Sequence, residues 1–164
     1  MKNLCVSAPL RRTLYPVHAR AEQLIRDLEL QPHPEGGHYA EVHRSTASTS
    51  IYFLLAAGEM SRWHRVRSEE IWHFYEGSPL ERLQLTPTGT DLERIVLGPV
   101  SDRERPVHCV PRNYWQAARS RGGFTLVGCT VAPAFQFSDF ALLKDSPALA
   151  ASISRDHPAV AQFV

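Results

Sequence analysis

The sequence has no long apolar run, almost no net charge and no paired-cysteine spacing, and each shortage excludes a class of protein. The first residues carry one lysine and a short apolar stretch broken by Pro9, Arg11 and Arg12. That stretch is too short for the core of a secretory leader and far too short to cross a membrane. A cytoplasmic protein with no membrane partner is the simplest expectation. The net charge is +1, and the arginines at 62, 65, 67, 103, 105 and 112 are scattered among acids. A nucleic-acid path needs a basic face, so no nucleic-acid partner is expected. Three cysteines, Cys5, Cys109 and Cys129, cannot pair completely, which favours a reduced, intracellular chain. Cys109 and Cys129 lie in apolar runs, where a free thiol behaves as a small buried hydrophobe. Also missing are a G-x-S-x-G nucleophile elbow and a Gly-rich phosphate loop.

What remains is a chain of 164 residues, long enough to bury a core without disulfides or metal. Its hydrophobic content of 43% and charged content of 21% are those of an ordinary globular domain. Residues 1–17 read as an irregular arm, 18–145 as one β domain with a leading helix, and 146–164 as a helical tail. Between His18 and Leu30, Ala21, Leu24, Ile25 and Leu28 fall at helical spacing, and Pro32 and Pro34 follow. Strand-like runs recur at 37–45, 48–56, 60–66, 69–76, 80–86, 91–97, 106–111, 114–120 and 124–132. Turn signals at 86–89 and 97–99 separate some of them, and many short strands predict an all-β sandwich or barrel. Asp145-Ser146-Pro147 places a capping residue before a proline and predicts a helix through Ile153, with another turn after Pro158.

The chemistry concentrates between Gly58 and Gly77, where His64 and Glu70 flank a charged bend. The spacing resembles the first cupin signature: Gly, five residues, His-x-His, three or four residues, Glu, six residues, Gly. One position departs, because Val66 stands where that pattern has its second histidine. The likeness extends to a smaller family, the cupin-five proteins. It is carried by Gln31-Pro-His-Pro-Glu-Gly-Gly37 before a strand with Tyr39 and Arg44, and by Thr49–Leu55 and Glu70–Tyr75. Trp115-Gln116-Ala117, Thr125–Cys129 and the run Pro133–Phe140 complete it, so that residues 24–143 are covered. The resemblance implies a jelly-roll β-barrel of cupin type and a homodimer.

A typical cupin metal site uses three histidines and one glutamate. Here His64 and Glu70 align with two ligands, Val66 cannot ligate, and Gln116 occupies the later histidine position. Two ligands and an amide make a poor site, so neither metal nor another cofactor is expected; a metal, if bound, would sit on His64, Glu70 and Gln116. The same His64 and Glu70 suit metal-free proton transfer, because a carboxylate beside an imidazole fixes its tautomer and raises its basicity. Epimerisation, isomerisation or dehydration of a sugar-like or nucleoside-like compound is then open. So are ligand binding without turnover and a metal-dependent oxygenase or isomerase.

Alternation adds pocket candidates. If Glu70 points inward, so do Trp72 and Phe74, with Trp72 a wall for a planar ring or plain core packing. On the first long strand Tyr39, Glu41 and His43 share one face and Ala40, Val42 and Arg44 the other. Tyr52 and Gln116 complete the expected ligand-binding set of Tyr39, Glu41, Tyr52, Trp72, Phe74 and Gln116. The partner implied is a small molecule.

Overall fold

The computed structural model describes residues 18–164; the arm expected over residues 1–17 lies outside the described residues. Helix α1 (Ala19–Asp27) begins where the His18 side chain accepts a hydrogen bond from Arg20 N at 3.3 Å. It ends earlier than the prolines alone predict. Glu29 takes a left-handed conformation (φ 53°), and Leu30 N donates to Ile25 O at 2.9 Å, closing the helix end.

A two-residue strand, β1 (Gln31–Pro32), pairs with β2 (His38–Arg44). Then come β3 (Thr49–Ala56), β4 (Met60–Val66), β5 (Glu69–Gly77), β6 (Leu80–Leu85) and β7 (Glu93–Leu97). They are followed by β8 (Val107–Val110), β9 (Trp115–Ser120), β10 (Phe124–Ala132) and β11 (Phe140–Leu142). Each expected run contains a strand. The short β1 and β11 were beyond reach, since two or three residues show no period. Helix α2 (Pro147–Asp156) and a 3-10 turn (Pro158–Phe163) end the chain. Pro147 opens α2 as expected, but the Ser146 side chain makes no capping bond.

The strands form two antiparallel sheets, ordered β1-β2-β3-β10-β5-β8 and β11-β4-β9-β6-β7. The all-β jelly roll expected from the sequence is thus two packed sheets, with no ladder joining them among the described residues. Cys109 lies exposed on the edge strand β8, against the expectation of burial, while Cys129 is buried on central β10.

The outer face of each sheet is covered by helix. Ala21 and Leu24 of α1 pack on Leu54, Ala56, Phe124 and Leu126. At the other side, Ile153, Val160 and Phe163 cover Trp63, Leu83, Leu85 and Trp115. Fully burying a side chain such as Phe163 contributes about 1.5–3 kcal/mol, which ties the tail to the sheet. Trp63 Nε1 also donates to Val160 O at 3.3 Å.

Apolar outward faces leave the polar members of the second sheet pointing inward. Arg82 and Gln84 alternate with buried Leu83 and Leu85, and Gln116 and Ala118 alternate with Trp115 and Ala117. All are buried. A polar interior of this kind is where a site is expected, since buried polar groups require partners.

Candidate active site

Three local features deliver the functional side chains. The first is the His-Pro-Glu-Gly-Gly loop at 33–37, between β1 and β2. His33 N donates to Gly37 O at 2.9 Å and Gly36 N to His33 O at 3.0 Å, making the loop tight. Gly36 (φ 109°) runs against β4: a Cβ there would sit 2.1 Å from Met60 O. Arg62 N then donates to Glu35 O at 2.8 Å. The loop therefore bridges the two sheets and drives Glu35 inward, where it is 5% exposed.

The second feature is a bulge in β4. Ser61 pairs with Ala118 and His64 with Gln116, so one extra residue lies between them. Without it Ser61 and Trp63 would face the same way. With it Trp63 packs outward against the tail, and Ser61, His64 and Val66 face the interior. The third feature is a bulge in β2: Glu41 pairs with Ile51 and His43 with Ser50, leaving Val42 extra. Arg44 thereby joins Tyr39 and Glu41 at the cavity, and His43 does not. Strict alternation put Arg44 on the opposite face, and the bulge is the reason for the correction.

These residues line a cavity of about 320 Å³. His33, Glu35, His64, Glu70 and Cys129 supply its polar floor, and Tyr39, Phe53, Phe135, Phe137 and Phe140 its aromatic walls. Several rings meet edge to face, including His33 on Tyr39 (4.7 Å, 89°) and Phe135 on Phe137 (5.1 Å, 79°). The ring of His64 stacks on Phe140 at 5.5 Å.

The carboxyl in contact with His64 is Glu35. Its Oε2 lies 3.2 Å from His64 Nε2, and Ser61 Oγ donates to its Oε1 at 2.8 Å. Glu70, expected as the partner, is engaged elsewhere. Trp72 Nε1, which can only donate, binds Gln116 Oε1 at 3.1 Å, and this orients Gln116 Nε2 toward Glu70 Oε2 at 2.5 Å. Glu70 is thus held as an acceptor in the same cavity.

The tautomers follow from the same inventory. His64 Nδ1 lies 2.8 Å from Arg62 O, a pure acceptor, so Nδ1 carries the proton and Nε2 in the neutral ring accepts. His33 Nδ1 accepts from Glu35 N at 3.3 Å, and it too faces Glu35 Oε2, at 3.6 Å. The Nε2 lone pair of His64 therefore faces Glu35 Oε2, while the Nδ1 lone pair of His33 is taken by Glu35 N. The arrangement is satisfied when Glu35 is a neutral acid donating to His64 Nε2. Electrostatics agree: burial, then the nearby charge of Glu70, push the Glu35 carboxyl well above its ordinary range, although Ser61 opposes this. Burial holds His64 down to about 3 and His33 to about 4. Burial also raises Glu70, opposed by the Gln116 bond and the positive charge of buried Arg82.

Of the other residues expected in the pocket, Tyr39 and Glu41 line it. Trp72 and Gln116 lie behind Glu70 as its supporting layer, outside the lining. Phe74 packs partly buried within the inner core instead. Tyr52 points to the outer face, where its ring meets Tyr75 at 6.2 Å, because residues alternate about β3 and Phe53 takes the inward place. Sequence reading missed His33 and Glu35. Their only signal was two polar residues set between prolines and a glycine pair, which reads equally as a turn.

The donor set does not fit a cupin metal. Val66 is apolar, Gln116 is committed to Trp72 and Glu70, and the Glu35 carboxyl occupies the space faced by both histidines. No three His, Cys, Asp or Glu side chains among the described residues are grouped to hold an ion.

Comparison with known proteins places this geometry. The family model Cupin_5, described as cupin superfamily (DUF985), matches residues 22–143. A crystal structure of a Shewanella oneidensis protein is 36% identical, with a TM-score of 0.79, covering 87% of this chain and 95% of that one. A hypothetical protein from Leishmania major is 28% identical, with a TM-score of 0.75, covering 88% and 96%. An oxalate decarboxylase variant from Bacillus subtilis shares the fold alone, at 14% identity and a TM-score of 0.59, covering 76% of this chain and 33% of that one. Functionally curated proteins give no match.

Proposed function

The chain belongs to the Cupin_5 family of the cupin superfamily, and on that footing we propose a metal-independent acid–base enzyme acting on a small sugar-like or nucleoside-like ring compound. The observation that supports this reading is the different setting of two buried carboxyls in one cavity. Glu35 faces His64 Nε2 at 3.2 Å with its carboxyl raised by burial, and Glu70 accepts from Gln116 Nε2. Two carboxyls with different partners in one cavity are an arrangement that proton-transfer chemistry can use.

In this reading Glu70 takes a proton from a carbon or hydroxyl of the bound ring. The proton of Glu35, shared with His64 Nε2, goes to the atom that gains charge. For an epimerisation or isomerisation the substrate loses one proton and gains one. For a dehydration the second proton leaves with the hydroxyl as water. His64 keeps Nδ1 on Arg62 O throughout, so its Nε2 has a fixed direction. Burial brings the Glu70 base toward neutrality, where general-base catalysis is most effective.

The test is isotope exchange. The protein is incubated in D₂O with a panel of cyclic sugars and nucleosides, and mass spectrometry follows deuterium uptake at carbon or loss of water. Conversion that survives chelator and disappears in Glu70→Gln supports the proposal. Ligand binding with no exchange across the panel would make the protein a binder, and conversion that needs an added divalent ion would restore the metal-dependent reading.

A further inference from the structure

The charge of the ligand can be read from the cavity wall. Arg44 is the only lysine or arginine among the described residues that line the cavity, and its charge is already matched by Glu41, with three of its five N–H donors engaged. Nε donates to Glu41 Oε1 at 2.9 Å and Nη2 to Glu41 Oε2 at 2.5 Å. Nη1 donates to Phe135 O at 3.0 Å, and Phe135 N donates to Thr49 Oγ1 at 3.1 Å. Arg44 thus straps the aromatic segment to the first sheet. At the floor no lysine or arginine lines the cavity: burial keeps His33 and His64 neutral, the other ionisable groups there are Glu35, Glu70 and the Cys129 thiol, and the charge of buried Arg82, outside the lining, is already set against Glu70.

A phosphate or carboxylate entering this space would lie beside acids, and the one arginine on the lining is already paired with the Glu41 carboxylate. Burying an anion without a partner is strongly unfavourable. Rings and hydroxyls, by contrast, find aromatic walls and fixed hydrogen-bonding groups. A volume of about 320 Å³ lies at the small end of ligand cavities, about 300–1,000 Å³. We propose that the cavity accepts an uncharged ring compound and rejects its phosphorylated form, with Arg44 acting as a wall-fixing residue and not as an anion receptor. This rests on the reading of the cavity as the ligand site.

The experiment uses matched pairs, so that shape is held and charge varied. Phenol and phenyl phosphate, then uridine and uridine 5′-monophosphate, are titrated into the whole protein and followed by ¹H–¹⁵N NMR. Phenol should give saturable shifts at His64 and Phe140, and phenyl phosphate should bind at least tenfold more weakly. In Arg44→Gln the two affinities should change by the same factor. Equal or tighter binding of phenyl phosphate, or an Arg44→Gln variant that weakens phenyl phosphate tenfold while sparing phenol, would overturn the proposal. So would a failure of phenol to bind at all. Binding of phenol over phenyl phosphate, with no binding of uridine, would support charge selection while counting against the nucleoside-like substrate above.

Discussion

Glu35 Oε2 lies 3.2 Å from Nε2 of His64, whose Nδ1 donates to Arg62 O; burial holds the ring to about 3, so it is neutral and Nε2 carries a lone pair. The carboxyl must therefore supply the hydrogen. An amide can do the same, so Glu35→Gln should change stability by no more than about 1 kcal/mol, near the net worth of one hydrogen bond. If the pair were instead carboxylate and imidazolium, neutralising one member should cost about 3–5 kcal/mol. Urea denaturation of the two proteins separates these outcomes.

The pH dependence of stability follows with two opposite signs. His64 is held at about 3 and His33 at about 4, against an ordinary 6.5. Below 6.5 the unfolded chain takes protons that the native one refuses, so this contribution is complete above 6.5 and is lost as pH falls toward 4 and 3. Glu35 and Glu70 are raised from 4.5, so their contribution is complete below 4.5 and is lost as pH rises. Between 4.5 and 6.5 the two effects oppose each other. Below 4.5 only the histidines act, and stability should fall by up to about 1.4 kcal/mol per pH unit for each. Denaturation curves across pH 3.5–8 should steepen below 4.5, and Glu35→Gln should lessen the decline above 6.5.

Gly36 holds the loop that carries His33 and Glu35. It has φ 109°, and a Cβ would meet Met60 O at 2.1 Å. Gly36→Ala should cost at least about 1–3 kcal/mol from backbone strain alone, and should shift the NMR signals of His64 through Glu35. A variant as stable as the parent would contradict this placement.

The missing metal ligands give a constructive test. Val66 faces the interior beside His64, and Gln116 is paired directly opposite His64. Installing Val66→His and Gln116→His together should raise nickel or cobalt affinity at least a hundredfold over the parent, read by calorimetry. An unchanged affinity would show that the Glu35 carboxyl still blocks the site.

Most of the fold was legible because it depends on short-range signals. Alternation and turn residues placed the strands from β2 to β10 within two residues, and Pro147 marked the start of α2. The site was legible only where a side chain's direction follows from period 2. His64 and Glu70 were found, and both face the cavity. Arg44 was assigned to the wrong face because the extra residue at Val42 leaves no mark on composition. Tyr52 was drawn in by its chemistry, although Phe53 holds the inward place. Glu35 was overlooked for a different reason. Its partner His64 is 29 positions away in the chain (64 minus 35), and only the close approach of Gly36 to β4 brings the two together.

The most direct measurement is a long-range ¹H–¹⁵N NMR spectrum of the histidine side chains across pH 5–8. His64 should show one protonated nitrogen, Nδ1, and one unprotonated nitrogen, Nε2, at every pH in that range, with no titration. A ring protonated on both nitrogens at pH 7, or one that titrates near 6.5, would mean that Glu35 is ionised and would remove the neutral acid on which the proposed chemistry depends.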